Sequence, residues 1–317
     1  MSSWAAELPL AGAGGEKVDL WRTFLSHGLA DLPPMRVDEE ARSFETTLAP
    51  DGGRPRTVRV SPGRAGYADV RVVGRAPAAK SVAPLLAAVR HVLRLDEDLS
   101  EFYALAAADP ELAWAVDGAG RMIRGPTVFE DVVKTICTTN CAWSATERMV
   151  GALVTYLGEP APGAPAEGPY GRAFPTPEAM AQAGDDFYRD VVRAGYRGRY
   201  LKNLAASVAD GTVPLEELAR ATPAELTDDE VYARLLALPG VGPYAAAHVM
   251  MLLGRYSRLV LDSWTRPKYA RLRGRTATDA AIARRFRRYG RYAGLAFWLY
   301  LTRDWVDEPD VLAAQTH

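Results

Sequence analysis

Residues 235–264 read LLALPGVGPYAAAHVMMLLGRYSRLVLDSW. Ahead of the Leu238-Pro239-Gly240-Val241-Gly242 turn, Val231, Leu235 and Leu236 recur at helical spacing. Beyond it, Ala246, Val249, Met250 and Leu253 make a second apolar stripe, the period of a helix with one face on a core. Glycines let the backbone approach another surface and take conformations closed to other residues. Pro243 suits the first position of a helix, where its missing amide has no intrahelical partner anyway. The amides around Gly242 then point outward unpaired, and such a helix start can receive an anion. An ordinary packing unit of two helices, with glycines serving only the turn, fits the same residues.

The chain has 317 residues, enough for one substantial core or two moderate ones. Its 48% hydrophobic content is that of a globular protein. No segment is apolar over a membrane-spanning length, and the first residues lack a signal pattern, so a cytoplasmic protein without membrane contact is expected. The net charge of −1 speaks against a protein that coats nucleic acid without preference. Basic residues nevertheless crowd 193–202 and 284–291, while acids crowd 38–45, 96–101 and 228–230. Cys137 and Cys141 are the two cysteines, too few for a four-cysteine cluster.

The expected fold class is α+β: a mostly helical domain with a small N-terminal antiparallel β-sheet domain. Residues 1–16 read as a flexible N-terminus, 17–98 as the α+β domain, and 99–317 as the helical domain, with the hairpin at 228–254. Residues 44–48, 57–60 and 68–73 alternate as strands do, and 82–92 has helical period. A polar interruption, Ile136 to Trp143, separates two helical runs. Its threonines and Asn140 suit either a capped connecting turn or a surface loop.

The hairpin pattern, followed by Asp262 twenty residues after Gly242, resembles the helix-hairpin-helix DNA-glycosylase superfamily. The resemblance covers residues 99–305 with good motif spacing and 20–98 more loosely, and lies between the 3-methyladenine (alkylation-repair) and 8-oxoguanine branches. It implies a helix-hairpin-helix glycosylase domain with Asp262 as the catalytic carboxylate. Asp262 follows the apolar run Leu259 to Leu261, so a partly buried cleft is expected. A carboxylate there can stabilise charge developing on the deoxyribose or deprotonate the attacking water. Where bifunctional members carry a nucleophilic Lys, this chain has Tyr244, so no Lys-dependent lyase step is expected. Tyr244, His248 and Trp264 are the expected base pocket, and an aromatic wall suits an electron-poor methylated base. Lys268 reads as a phosphate contact or surface residue.

TVFEDVVKTICTTN and GYRGRY resemble the superfamily segments that fill the gap left by an extruded base and wedge the stack. Asn140 and Tyr196 are the matching residues. Arg197, Arg199, Gly240 and Gly242 complete the expected DNA-binding set. The carbonyls of Leu236, Leu238 and Val241 match those that hold a structural cation (Na, K, Mg or Ca) in related hairpins. No catalytic cofactor and no iron–sulfur cluster are expected.

The reading is thus a monofunctional DNA glycosylase that flips a damaged, alkylated base and hydrolyses its N-glycosidic bond. An oxidised-purine (8-oxoguanine-type) glycosylase and a non-catalytic DNA-damage binding module stand beside it. The expected partner is double-stranded DNA containing a damaged base, bound by a monomer that joins the nucleoid during repair.

Overall fold

The computed structural model describes residues 4–306; the expectations for 1–3 and 307–317 lie outside the described residues. Five strands, β1 (Ala5–Pro9), β2 (Arg36–Asp38), β3 (Ser43–Leu48), β4 (Arg56–Pro62) and β5 (Tyr67–Val72), form one antiparallel sheet in the order β1-β5-β4-β3-β2. Thr46 pairs with Val58, and Val60 with Val70. Two short helices, α1 (Leu20–Phe24) and α2 (Ala79–Val92), share the sheet's core through Leu20, Phe24, Leu85 and Val89.

Eleven further helices follow among the described residues. They are α3 (Ser100–Ala107), α4 (Val128–Thr138), α5 (Trp143–Leu157), α6 (Pro177–Gln182), α7 (Arg197–Ala209) and α8 (Glu217–Arg220). Then come α9 (Asp228–Leu236), α10 (Pro243–Leu252), α11 (Thr265–Arg273), α12 (Asp279–Phe286) and α13 (Ala293–Thr302). Their apolar residues make a second core, which also takes in Leu29 and Leu32 from the N-terminal region, while Ile123 packs in the sheet core. The helix starts carry sequence-encoded caps. Thr127 caps α4, Thr176 caps α6 with Pro177 at the first turn, and Thr227 with Glu230 forms a reciprocal box on α9.

The hairpin is α9, the turn and α10, with Pro243 opening α10 as expected. The stripe on α10 understates its burial, however. Every residue from Ala245 to Leu252 is buried, so the helix runs through the middle of the domain against α4 and α9. Val249, Met250 and Leu252 each contribute roughly 1.5–3 kcal/mol of burial. Only the N-terminal end of α10 reaches the surface.

Two expectations are corrected. Residues 1–16 are not uniformly loose, since Ala5–Pro9 adds an edge strand to β5. It was hidden because it is short, ends in Pro9 and buries only Leu8, while its partner lies far along the chain. The polar interruption is also shorter than expected: α4 continues through Ile136 and Cys137 to Thr138.

Candidate active site and nucleic-acid interface

The start of α11 is built by Asp262. Its Oδ1 accepts the backbone amides of Trp264 (2.9 Å) and Thr265 (2.6 Å), and the Thr265 hydroxyl accepts the Asp262 amide (2.8 Å). These bonds fix the carboxylate by one oxygen and leave Oδ2 outside the cap. Asp262 is half-buried, as is Trp264. The segment leading to Asp262 is pinned from below by α13. The Gly294 amide donates to the Tyr256 carbonyl (2.6 Å), and a β-carbon on Gly294 would overlap the Arg258 carbonyl. Glycine is required there by the closeness of two backbones.

Tyr244 stands at the start of α10, near enough to Asp262 for that carboxylate to disfavour a tyrosinate. Burial is the larger cause, and together they push the phenol up to about 12. Its hydroxyl lies 3.3 Å from Thr138 Oγ1 at the end of α4 and 3.3 Å from Nδ1 of His248, one helical turn on. His248 is buried and packs against Trp298 and, edge to face at 5.7 Å, against His27 from the N-terminal region. Trp264, Trp298 and Trp305 form a triangle of rings with centroids 5.6–6.0 Å apart. The expected pocket residues Tyr244, His248 and Trp264 therefore belong to one aromatic group. A separate cleft of about 930 Å³, between α2, the β3–β4 turn and the start of α4, includes none of them.

The three motifs singled out in the sequence meet on one surface. Asn140, with φ 49°, turns out of the end of α4, and its Nδ2 donates to the Tyr196 hydroxyl (3.4 Å). Tyr196 is 55% exposed, an unusual position for a large ring, and its edge rests on Tyr200 (5.9 Å). Tyr200 in turn lies under the hairpin turn. Gly240 has φ 81°, and a β-carbon on it would come within 2.9 Å of the Tyr200 ring. Gly242 has an ordinary backbone conformation (φ −98°) with open space at its α-carbon, and no side chain caps α10. Only Gly240 therefore needs to be glycine for conformational reasons; Gly242 leaves a helix end uncovered. Leu236, Leu238 and Val241 lie in or beside this turn, with the Leu238 carbonyl accepting the Val241 amide (3.2 Å).

Two expected surface cations are not on the surface. Arg197 is buried: its guanidinium donates to the Thr139 carbonyl and lies 4.6 Å from the Tyr196 ring centre. It supports Asn140 and Tyr196 from behind, whereas Arg199 is exposed as expected. Lys268 is buried in an ion pair with Asp304, which occupies its amine. Both were misread because a charged residue inside a polar helix is ordinarily solvated, and their partners are distant in sequence.

Sequence reasoning also missed His27, Thr138, Tyr200, Trp298 and Trp305. Nothing local marks His27 or Tyr200, and the C-terminal apolar run hides Trp298 and Trp305 among core residues. Cys137 and Cys141 are free thiols with a structural place. The Cys137 carbonyl accepts Cys141 Sγ (3.1 Å) and the Thr146 hydroxyl (3.0 Å), joining α4 to α5. Burial pushes the Cys137 thiol up to about 12, so it stays protonated.

No protein-family model matches the chain. Over 132 residues it is 25% identical to the Bacillus subtilis protein YfjP, described as "Putative DNA-3-methyladenine glycosylase". That match takes in 39% of this chain and 44% of YfjP, less than half the length of that relative. Among solved structures, the 3-methyladenine DNA-glycosylase from Archaeoglobus fulgidus superposes with a TM-score of 0.69 at 22% identity, covering 94% of this chain and 98% of that one. The Clostridium acetobutylicum 8-oxoguanine glycosylase/lyase, in complex with double-stranded DNA containing cytosine opposite 8-oxoguanine, gives a TM-score of 0.64 at 19% identity. There the coverage is 88% of this chain and 92% of that one. These structural likenesses establish a common fold.

Proposed function

We propose, from the premise that the chain belongs to the helix-hairpin-helix DNA-glycosylase superfamily, that it extrudes a damaged base from duplex DNA and hydrolyses its N-glycosidic bond. The carrying observation is Asp262, a half-buried carboxylate anchored by Oδ1 to two amides, beside Tyr244 and the tryptophan triangle. As the bond from C1′ to the base nitrogen lengthens, positive charge develops on the sugar. Asp262 opposes that charge and can take a proton from the water whose oxygen bonds to C1′. The base leaves with the bonding pair: an N-alkylated purine, cationic in the duplex, departs neutral without a proton, whereas an unalkylated purine such as 8-oxoguanine takes its proton from solvent.

Asn140 and Tyr196 occupy the space the extruded nucleotide vacates, with the Tyr196 ring stacking on exposed bases. The amides at the start of α10 and the Arg199 guanidinium bind phosphates. A structural cation held by the carbonyls of Leu236, Leu238 and Val241 would add positive charge to that contact. Tyr244 stands at the place of the lyase lysine, and Lys268 is paired with Asp304, which favours hydrolysis alone. The aromatic group around Tyr244 favours an alkylated base. The oxidised-purine reading draws on Asn140, matching its position in the oxoguanine branch.

Duplexes carrying methylated purines, 8-oxoguanine, hypoxanthine or uracil separate these readings by the base released. The expected product is an intact abasic strand, with no species trapped by borohydride. Efficient trapping would overturn monofunctional hydrolysis, and release of no base would leave only the DNA-binding part.

A further inference from the structure

Between Arg266 and Arg291 the chain carries nine arginines and one lysine against a single acid, Asp279, although the whole chain has a net charge of −1. Acids from other elements take up part of this excess. Asp304 pairs with Lys268, Asp109 with Arg288 and Glu101 with Arg291. Glu111 serves both Arg285 and Arg273, the latter at 3.8 Å. Arg275 and Arg284 are exposed and have no acid partner among the described residues.

Four of these cations share one place. Arg273, Arg275, Arg284 and Arg285 line a cleft of about 540 Å³ between the end of α11 and the body of α12. Tyr269 and Ala281 supply apolar wall, and no carboxylate is among the lining residues. Four guanidinium groups in one concavity repel one another, and an incoming polyanion relieves that repulsion. Their forks match phosphate oxygens two at a time.

The cleft is joined to the start of α11. Arg266, in the first turn of α11, holds Asp279 at the start of α12 through two bonds of 2.8 and 2.9 Å. The Arg266 amide donates to the Asp262 carbonyl (3.4 Å). Asp279 is the main cause that keeps the Arg266 guanidinium above its ordinary pKa, and the Asp262 carboxylate is close enough to add to it. With nine residues, α11 is about 13 Å long. That is the rise of roughly four base pairs at about 3.4 Å each.

We propose that the cleft between α11 and α12 binds backbone phosphates of the duplex on one side of the damaged nucleotide. The proposal rests on the placing of that nucleotide at Asp262 and adds a second contact with DNA, separate from the hairpin. The contact is one-sided, because α11 leads away from Asp262 in one direction.

The test compares the full chain with the double variant Arg275→Gln/Arg284→Gln. Neither side chain has an acid partner to lose, so thermal unfolding should be unchanged. Each duplex carries a tetrahydrofuran abasic-site analogue with a long arm on one side and, on the other, an arm too short to reach the cleft. Both polarities are measured. The wild-type chain should bind one polarity more tightly. The variant should lose that excess, about tenfold, with the salt slope for that duplex reduced by about two. Affinity for the opposite polarity should change little. Equal loss on both polarities, or loss on neither, overturns the proposal. So does calorimetric binding of inorganic phosphate that the variant abolishes while duplex affinity stays unchanged, since the cleft then serves a free anion. Base release by the wild-type chain without a polarity effect fails the cleft and keeps the catalytic reading; a polarity effect without base release does the reverse.

Discussion

The starts of α10 and α11 sit close together and are finished in opposite ways. At α11 a carboxylate from the chain itself, Asp262, fills the cap by accepting two amides. At α10 the cap residue is Gly242, which offers no side chain and leaves the amides and the positive end of the helix dipole uncovered. One helix start is neutralised from within, and the other is left for an anion from outside. On the proposed function, the difference separates two tasks that both use charge: holding a reactive carboxylate still, and receiving a phosphate.

The comparison can be broken at either end. The largest effect is expected at α11. Asp262→Asn retains an oxygen for the cap but removes the charge, so the fold should persist while base release falls by about two orders of magnitude or more. Full base release by this variant, in single-turnover assays, would remove Asp262 from the chemistry. Next comes α10. Gly242→Asp places a cap and a negative charge where the α-carbon faces open space. Thermal stability should rise by a few tenths of a kcal/mol while affinity for any duplex falls about tenfold, with a shallower salt dependence. Undiminished affinity would show that the open helix start is not a phosphate contact. A smaller effect distinguishes cap from charge at α11. Asp262→Ala should lose about 1 kcal/mol of stability relative to Asp262→Asn, measured by urea unfolding.

The smallest expected change is none at all. His248, on α10, and His27 should show no imidazole titration by NMR between about pH 8 and pH 5, since burial holds them well below 6.5. The sign follows from linkage: the unfolded chain takes up these protons first. Their contribution to stability is full above pH 6.5 and lost as pH falls toward 4 and then 3. Asp131, raised to about 7 chiefly by burial, runs the other way, full below 3.8 and lost as pH rises through 7. A midpoint near 6.5 for either histidine would contradict the burial described.

The hairpin and Asp262 were legible because they are local: a glycine turn between two apolar periods, and a carboxylate at fixed spacing from it. Asn140 and Tyr196 were legible as separate motifs, while their contact across 56 residues was not. What stayed hidden depends on partners that periodicity cannot name. Arg197 reads as a surface cation until the Thr139 carbonyl lies over it, and Lys268 until Asp304 does. His27 belongs to the site through a ring contact with a helix more than two hundred residues away along the chain. Strand β1 is visible only from β5, with which it pairs.

Arg197 carries a consequence for speed. One planar guanidinium lies against the Tyr196 ring and binds the backbone next to Asn140. One buried group thus supports both exposed side chains, which, on the proposed function, would leave them less freedom to lose when a duplex arrives. On the proposed function, a protein that must test very many intact base pairs for each damaged one gains from a probe of this kind. Little conformational freedom remains to be lost at each encounter, so each visit to undamaged duplex can be brief.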